Sequence, residues 1–299
     1  MKRTLFFVTL AGIGWWLWQR KRTYANQVPI KNKVVIITGA TSGIGRAAAC
    51  TFAAQGAHTV LVAQRANRLA EVQQELAPFD TKVLTIAANL TQDDDIQSVV
   101  DETLREFGRI DVLVNHAGIT IAGPMNELDP ADIHKMIELN LYATIRLTQC
   151  VLPTMIAQHS GHIVNVSSSD TLLQVPGHMT YAATKSGVNA FSTGLRREIG
   201  GEGVHISILM PGWAETPVME HIDDNLINKI GMNLIETQTP QYVASHIVAA
   251  VRYRKKRVVL GGTGHTISDF VERIAPGLSD WLFKILFDKE QWLELMKEI

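Results

Sequence analysis

Two cysteines in 299 residues, Cys50 and Cys150, exclude a disulfide framework and a cysteine-rich zinc site. Both read as small apolar residues for packing rather than as nucleophiles. Net charge is equally scarce. Lys and Arg number 28 against 29 Asp and Glu, −1 overall, and no basic stripe stands out, which excludes a broadly basic nucleic-acid binder. No internal repeat and no Pro/Ser-rich linker interrupts residues 31–262, so that stretch reads as one domain although the length has room for two. With 46% apolar and 19% charged residues the chain is not disordered, and it is long enough for a large core. His159 and His162 lie close together, but no third ligand is spaced to join them, and no metal site is expected.

What is present begins with Thr4 to Trp18, fifteen residues without charge, flanked by Lys2 and Arg3 before and Arg20, Lys21 and Arg22 after. As a helix this run spans about 22 Å, and snorkelling of the basic ends extends it toward the roughly 30 Å of a bilayer core. Trp15, Trp16 and Trp18 gather at one end, as at a membrane interface. The favoured reading is a retained single-pass anchor over residues 1–24, with the catalytic body on the cytoplasmic side by a slight excess of basic residues. A cleaved signal peptide ending near Thr23-Tyr24-Ala25, and a helix lying on a membrane or on the protein itself, are the alternatives.

The body alternates. Short β-branched runs at Lys33–Thr38, Thr59–Ala63, Val83–Ala87, Val112–Val114, Ile163–Val166 and His205–Leu209 are separated by helical patterns at Ile44–Gln55, Asn67–Leu76, Asp95–Phe107, Ile133–Met155 and Tyr181–Ile199. Apolar strands without polar alternation suit a sheet buried on both faces. The fold class expected is α/β, a doubly wound parallel sheet of Rossmann type over residues 31–262. The segment 263–299 forms a helical tail in which Trp281, Leu282, Ile285, Leu286, Trp292, Leu293 and Leu295 recur at helical spacing. That stripe suits packing on the domain or on a second subunit, with contact to a membrane surface as the alternative.

The first strand runs into Thr38-Gly39-Ala40-Thr41-Ser42-Gly43-Ile44-Gly45, at the start of a small-residue helix. Gly39 permits the tight turn, and Gly43 and Gly45 let backbone approach a pyrophosphate at the helix N-terminus. The second strand ends Val62-Ala63-Gln64-Arg65, without the acid that would hold a ribose 2′-hydroxyl. Arg65, helped by Ser42, suits a 2′-phosphate, so NADP is expected over NAD.

Tyr181 and Lys185 are spaced i,i+4 and share a helix face. A neighbouring ammonium is expected to lower the phenol's pKa. Ser168 precedes Tyr181 by thirteen residues, Asn115-His116-Ala117-Gly118 follows a strand, Asn140 sits in the next helix, and Pro211-Gly212 and Thr216 follow the last strand. In this order and spacing the chain resembles the classical short-chain dehydrogenase/reductase family over about residues 31–262.

The resemblance implies roles. Tyr181 would exchange a proton with the substrate oxygen, Ser168 would hydrogen-bond that oxygen, and Lys185 would hold the nicotinamide ribose. Asn140 would hold a water linking Lys185 to solvent, Thr216 would contact the carboxamide, Asn115 would brace the central strands, and Ala117 and Gly118 would border the cofactor. Thr41, Ile44, Pro211 and Gly212 join the cofactor set on the same match. Two departures stand out: His116 replaces the family's second asparagine, and Asn89, followed by Leu90, replaces an aspartate that holds adenine. Asparagine still donates and accepts there.

Two segments are expected to face the substrate: Leu172–Thr180, with the apolar Leu172, Leu173, Val175 and Met179, and Trp213 to about Thr239, where Trp213, Val218 and Met219 mix with Glu215, Glu220, Asp223 and Asp224. An apolar pocket there would suit a hydrophobic ketone, aldehyde or alcohol. The expected activity is hydride transfer between NADP(H) and a carbonyl or secondary alcohol, in a monomer, homodimer or homotetramer. The alternative is a non-catalytic cofactor sensor or scaffold that keeps the fold.

Overall fold

Val34–Thr38, a β-branched run with every residue buried, is strand β1 of the computed structural model, which describes residues 27–214 and 237–286. It lies inside a seven-stranded sheet. β2 (His58–Ala63) and β3 (Val83–Ala87) extend the sheet on one side. β4 (Val112–Asn115), β5 (Gly161–Val166), β6 (Val204–Met210) and β7 (Arg257–Val259) extend it on the other. All pairs are parallel, in the order β3-β2-β1-β4-β5-β6-β7. The order reverses between β1 and β4, which opens a crevice at the carboxyl ends of those strands.

The helices follow in chain order: α1 (Gly43–Ala53), α2 (Ala66–Leu76), α3 (Asp93–Phe107), α4 (Pro130–Met136), α5 (Ala143–Ala157), α6 (Asp170–Leu173), α7 (Met179–Glu198), α8 (Pro240–Arg252), α9 (Gly262–Ile274) and α10 (Pro276–Leu286). A parallel sheet needs cover on both faces. α1, α2 and α8 cover one, where Ala47, Ala48 and Ala49 leave room for Val243, Ile247 and Val251 of α8. Ile96 and Val99 of α3, Leu147 and Val151 of α5, and Leu195 of α7 cover the other. The chain therefore forms one Rossmann-like α/β domain.

Several expectations change. The long helix expected over Ile133–Met155 starts at Pro130 and is interrupted by a π-helical turn, Ile137–Tyr142. β7 and α8, which the sequence pattern did not announce, complete the sheet edge and the α1 face. On α9 and α10, Ile267, Phe270, Ile274, Leu278, Trp281, Leu282 and Ile285 are exposed rather than packed onto the domain; Trp292, Leu293 and Leu295 lie outside the described residues. The transmembrane helix is corrected: among the described residues no helix is long and apolar enough to cross a membrane. The segment on which it was placed, 1–24, lies outside them. Cys50 and Cys150 are free, and burial raises both thiol pKa values.

Asp111, buried at 3% exposure, clasps the sheet's N-terminal edge. It accepts from the Val34 amide at 3.0 Å, from Lys33 Nζ at 2.9 Å and from Arg109 through Nε at 2.9 Å and Nη2 at 2.6 Å. Burial alone would raise its pKa, but Arg109, the Val34 amide and Lys33 together pull it below the ordinary carboxylate value. A depressed carboxylate adds stability that is complete above its unfolded pKa and is lost as the pH falls through the folded one. Asp111→Asn is expected to cost about 2 kcal/mol at neutral pH. In thermal unfolding the gap to wild type should close only below about pH 4; a gap that is already absent at neutrality would refute the clasp.

Candidate active site

The turn between β1 and α1 is shaped by two close approaches. Gly39 has a φ of +68°, and a Cβ on it would lie 3.1 Å from Ala117 Cα. A Cβ on Gly45 would lie 2.1 Å from the Gly39 carbonyl oxygen. Any larger residue at 45 would push α1 off the strand ends. The Thr38 hydroxyl ties this turn to the β4 exit by accepting the amides of His116 and Ala117, each at 2.9 Å. Ser42 makes no side-chain cap, and the first turn of α1 holds no acid. Its free amides and positive dipole end therefore suit an anion, so the cradle fits a pyrophosphate.

A cavity of about 510 Å³ opens over this cradle. Ser42, Gly43, Ile44, Arg65, Gly118, Tyr181, Lys185, Pro211 and Gly212, all assigned to the cofactor from the sequence, line it together with Ser168. Gly39, Thr41, Gly45, Asn115 and Ala117 do not reach its surface, nor do Asn89 and Leu90 beyond β3. Leu90 is buried, and the Asn89 side-chain oxygen accepts from Gln64 Nε2 at 2.9 Å and Thr91 Oγ1 at 3.1 Å. Thr216 lies outside the described residues, as do Glu215, Val218, Met219, Glu220, Asp223 and Asp224 of the second expected substrate segment.

α7 carries Tyr181 and Lys185 to the end of β5. Lys185 Nζ donates to the Val166 carbonyl at 3.0 Å and lies 5.7 Å from the Tyr181 ring centroid. Ser167 Oγ donates to the Lys185 carbonyl at 3.2 Å, and Ser168 Oγ accepts the Asp170 amide at 3.1 Å. Asn115 Nδ2 donates to Thr148 Oγ1 at 3.0 Å and to Asn165 Oδ1 at 2.9 Å, while Asn165 Nδ2 donates to Ser192 Oγ at 2.8 Å. That buried chain fixes β4, β5, α5 and α7 to one another. Asn140, fully buried in the π turn, does not line the cavity. Its amide clamps the Ile119 backbone, accepting from the N–H and donating to the carbonyl at 2.8 Å each.

The electrostatics differ from the sequence expectation. The Tyr181 phenol is raised above its ordinary value, first by burial and then by the negative charge of Asp170, against a hydrogen bond with Ser168 that lowers it. Burial lowers Lys185 to about 8. The ammonium nearby thus does not by itself deliver a phenolate, because both groups share a dry site that penalises charge. His116 is lowered to about 4 by burial and by Lys185, so it is neutral at physiological pH.

Asp170, His178 and Trp213 also line the cavity. Asp170 went unnoticed in the sequence, and His178 was passed over in an apolar stretch; their signal was a polar residue two after Ser168, opening α6, and another three before Tyr181. The apolar wall expected from that stretch is elsewhere: Leu172 and Val175 are buried in the core, and Leu173 and Met179 do not line the cavity. Among the described residues no three His, Cys, Asp or Glu side chains are grouped to hold a metal ion.

The profile of the short chain dehydrogenase family matches residues 33–226. The chain is 33% identical over 270 residues to dehydrogenase/reductase SDR family member 7B of Bos taurus, covering 87% of this chain and 82% of the bovine protein. The Danio rerio protein of the same name is 34% identical over 269 residues, covering 87% and 86%. A 3-oxoacyl-(acyl-carrier-protein) reductase of Thermotoga maritima is 36% identical over 195 residues, covering 65% of this chain and 79% of its own.

Because Lys185 loses its proton near 8 while Tyr181 is held above its ordinary value, the lysine titrates first as the pH rises. In the cofactor-free protein, the phenolate absorbance that Tyr181→Phe removes should appear only above about pH 10. A phenolate step near neutrality that Tyr181→Phe removes would refute this electrostatic reading.

Proposed function

The chain belongs to the short-chain dehydrogenase family, and on that premise we propose that it moves a hydride between NADP(H) and a carbonyl or secondary-alcohol substrate, with Tyr181 as the acid or base. The family and its relatives make it an NAD(P)-dependent oxidoreductase. The observation that carries the finer reading is the convergence of Ser168, Tyr181 and Lys185 with Ser42 and Arg65 on one cavity above an uncapped helix N-terminus.

NADPH, when bound, supplies the hydride. The free amides at the start of α1 would hold the pyrophosphate, and Arg65, exposed at the N-cap of α2, would meet the 2′-phosphate with Ser42. Lys185, which lines the cavity, would anchor the nicotinamide ribose. Ser168 Oγ, oriented by the Asp170 amide, hydrogen-bonds the substrate oxygen. Tyr181, held protonated by its surroundings, donates its phenolic proton to that oxygen as negative charge develops on it. A phenol kept protonated favours the reductive direction, and reduction of a ketone is also what the name of the Thermotoga maritima relative describes. Asn140, by clamping Ile119, fixes the Gly118–Thr120 loop that lines the cavity. Asn89, held by Gln64 outside the cavity wall, would meet the adenine only beyond that wall.

Fluorescence titration should show tighter binding of NADPH than of NADH. Arg65→Gln should weaken NADPH binding by about tenfold or more and leave NADH binding unchanged. Tyr181→Phe should abolish carbonyl-dependent NADPH oxidation while retaining NADPH binding. Equal binding of both cofactors would refute the Arg65 assignment, and turnover that survives Tyr181→Phe would refute the catalytic one.

A further inference from the structure

One wall of the cavity carries polar groups that the hydride-transfer chemistry leaves unused. His178 Nδ1 lies 3.0 Å from Asp170 Oδ2, and both side chains are nearly fully buried, at 6% and 8% exposure. A carboxylate only accepts, so Nδ1 carries the hydrogen, and in that tautomer Nε2 presents a lone pair. Among the described residues that Nε2 is buried without a partner. The Trp213 ring stacks on His178 with centroids 5.9 Å apart and planes 22° apart. Its Nε1–H, a donor with no accepting ability, is likewise buried without a partner among the described residues. His178 meets Tyr181 edge-on at 6.1 Å, which sets its ring beside the reacting phenol.

We propose that Asp170, His178 and Trp213 form a recognition site for an uncharged hydroxyl group that the substrate carries close to its reacting carbonyl. The inference rests on the carbonyl chemistry proposed for this cavity and specifies its substrate. A hydroxyl donates to His178 Nε2 and accepts from Trp213 Nε1–H at once. An alkyl group leaves both nitrogens unpaired. A carboxylate satisfies only the indole and brings its charge toward Asp170, which also faces His265. Asp170 is a positioning residue here, because it fixes the tautomer and ring plane of His178. The substrate is thus a hydroxyketone, or the corresponding diol, rather than a uniformly apolar ketone.

The test uses the full chain loaded with NADP⁺. The probes are a secondary decanol, the decanediols with a second hydroxyl one to four carbons from the first, and hydroxydecanoate as the charged control, measured by calorimetry. Turnover of the matching ketones with NADPH is measured in parallel. At least one diol should bind about tenfold more tightly than the mono-alcohol. His178→Phe, which keeps an aromatic ring against Trp213, should bring that ratio close to one. Trp213→Phe, which keeps an aromatic wall and removes only the N–H, should lower it several-fold and decides the question if His178→Phe does not fold. No diol preference in the wild type, a preference that survives Trp213→Phe, or a stronger preference for hydroxydecanoate overturns the site. Diol preference without turnover of any ketone leaves this site standing and overturns the proposed function. Turnover without diol preference does the reverse.

Discussion

The buried hydrogen-bond chain from Asn115 through Asn165 to Ser192 is the constraint on which the rest of the site depends. Asn115 sits at the end of β4, Asn165 lies directly opposite it on β5, and Ser192 lies on α7, two turns beyond Lys185. Such a network is costly if any member is left unpaired, so it admits one arrangement of the three elements. Thr148 adds α5 to the same arrangement. α7 is then docked at a fixed height against the sheet, where Lys185 reaches the Val166 carbonyl and Tyr181 reaches the cavity. Apolar packing alone would allow this long helix to slide; the polar chain sets its position along the strand.

The π turn performs a similar task on the neighbouring wall. Its widened helix brings Asn140 inward, where both ends of the amide are used on the Ile119 backbone. Gly118 beside it leaves the space that a side chain would take from Asn140 Oδ1, 3.0 Å from where a Cβ would stand, and from Lys185 Nζ, at 3.4 Å. One missing Cβ thus keeps the loop after β4 close to both polar groups.

Much of this was legible in the sequence because it follows short-range rules. β-branched runs marked six of the seven strands, the Gly39–Gly45 turn marked the start of α1, and the i,i+4 spacing put Tyr181 and Lys185 on one face. β7 escaped because three residues beside the basic Arg252–Arg257 run give no period. The π turn escaped because its residues continue an ordinary helical pattern. The phenol's raised pKa could not be read from the Tyr–Lys spacing, since burial and the Asp170 charge outweigh the Ser168 hydrogen bond and both come from tertiary structure. His178 and Asp170, eight positions apart in sequence, become partners only because α6 folds the chain back. The tail stripe beginning at Trp281 shows a helical period, but periodicity does not say what covers a face, and Trp281, Leu282 and Ile285 are exposed.

The Asp111 clasp has a consequence for how the chain tolerates change in length. Its bond to the Val34 amide spans 77 residues, a closed loop that contains β2, β3 and three helices. The entropy of closing such a loop grows only logarithmically, so even doubling it would cost about 0.6 kcal/mol. Surface connections within that excursion, such as the one from α2 to β3, can therefore lengthen at little thermodynamic cost while the strand registers hold. The two ends of the loop have no such latitude: at Asp111 one oxygen more or less decides whether the edge of the sheet is tied.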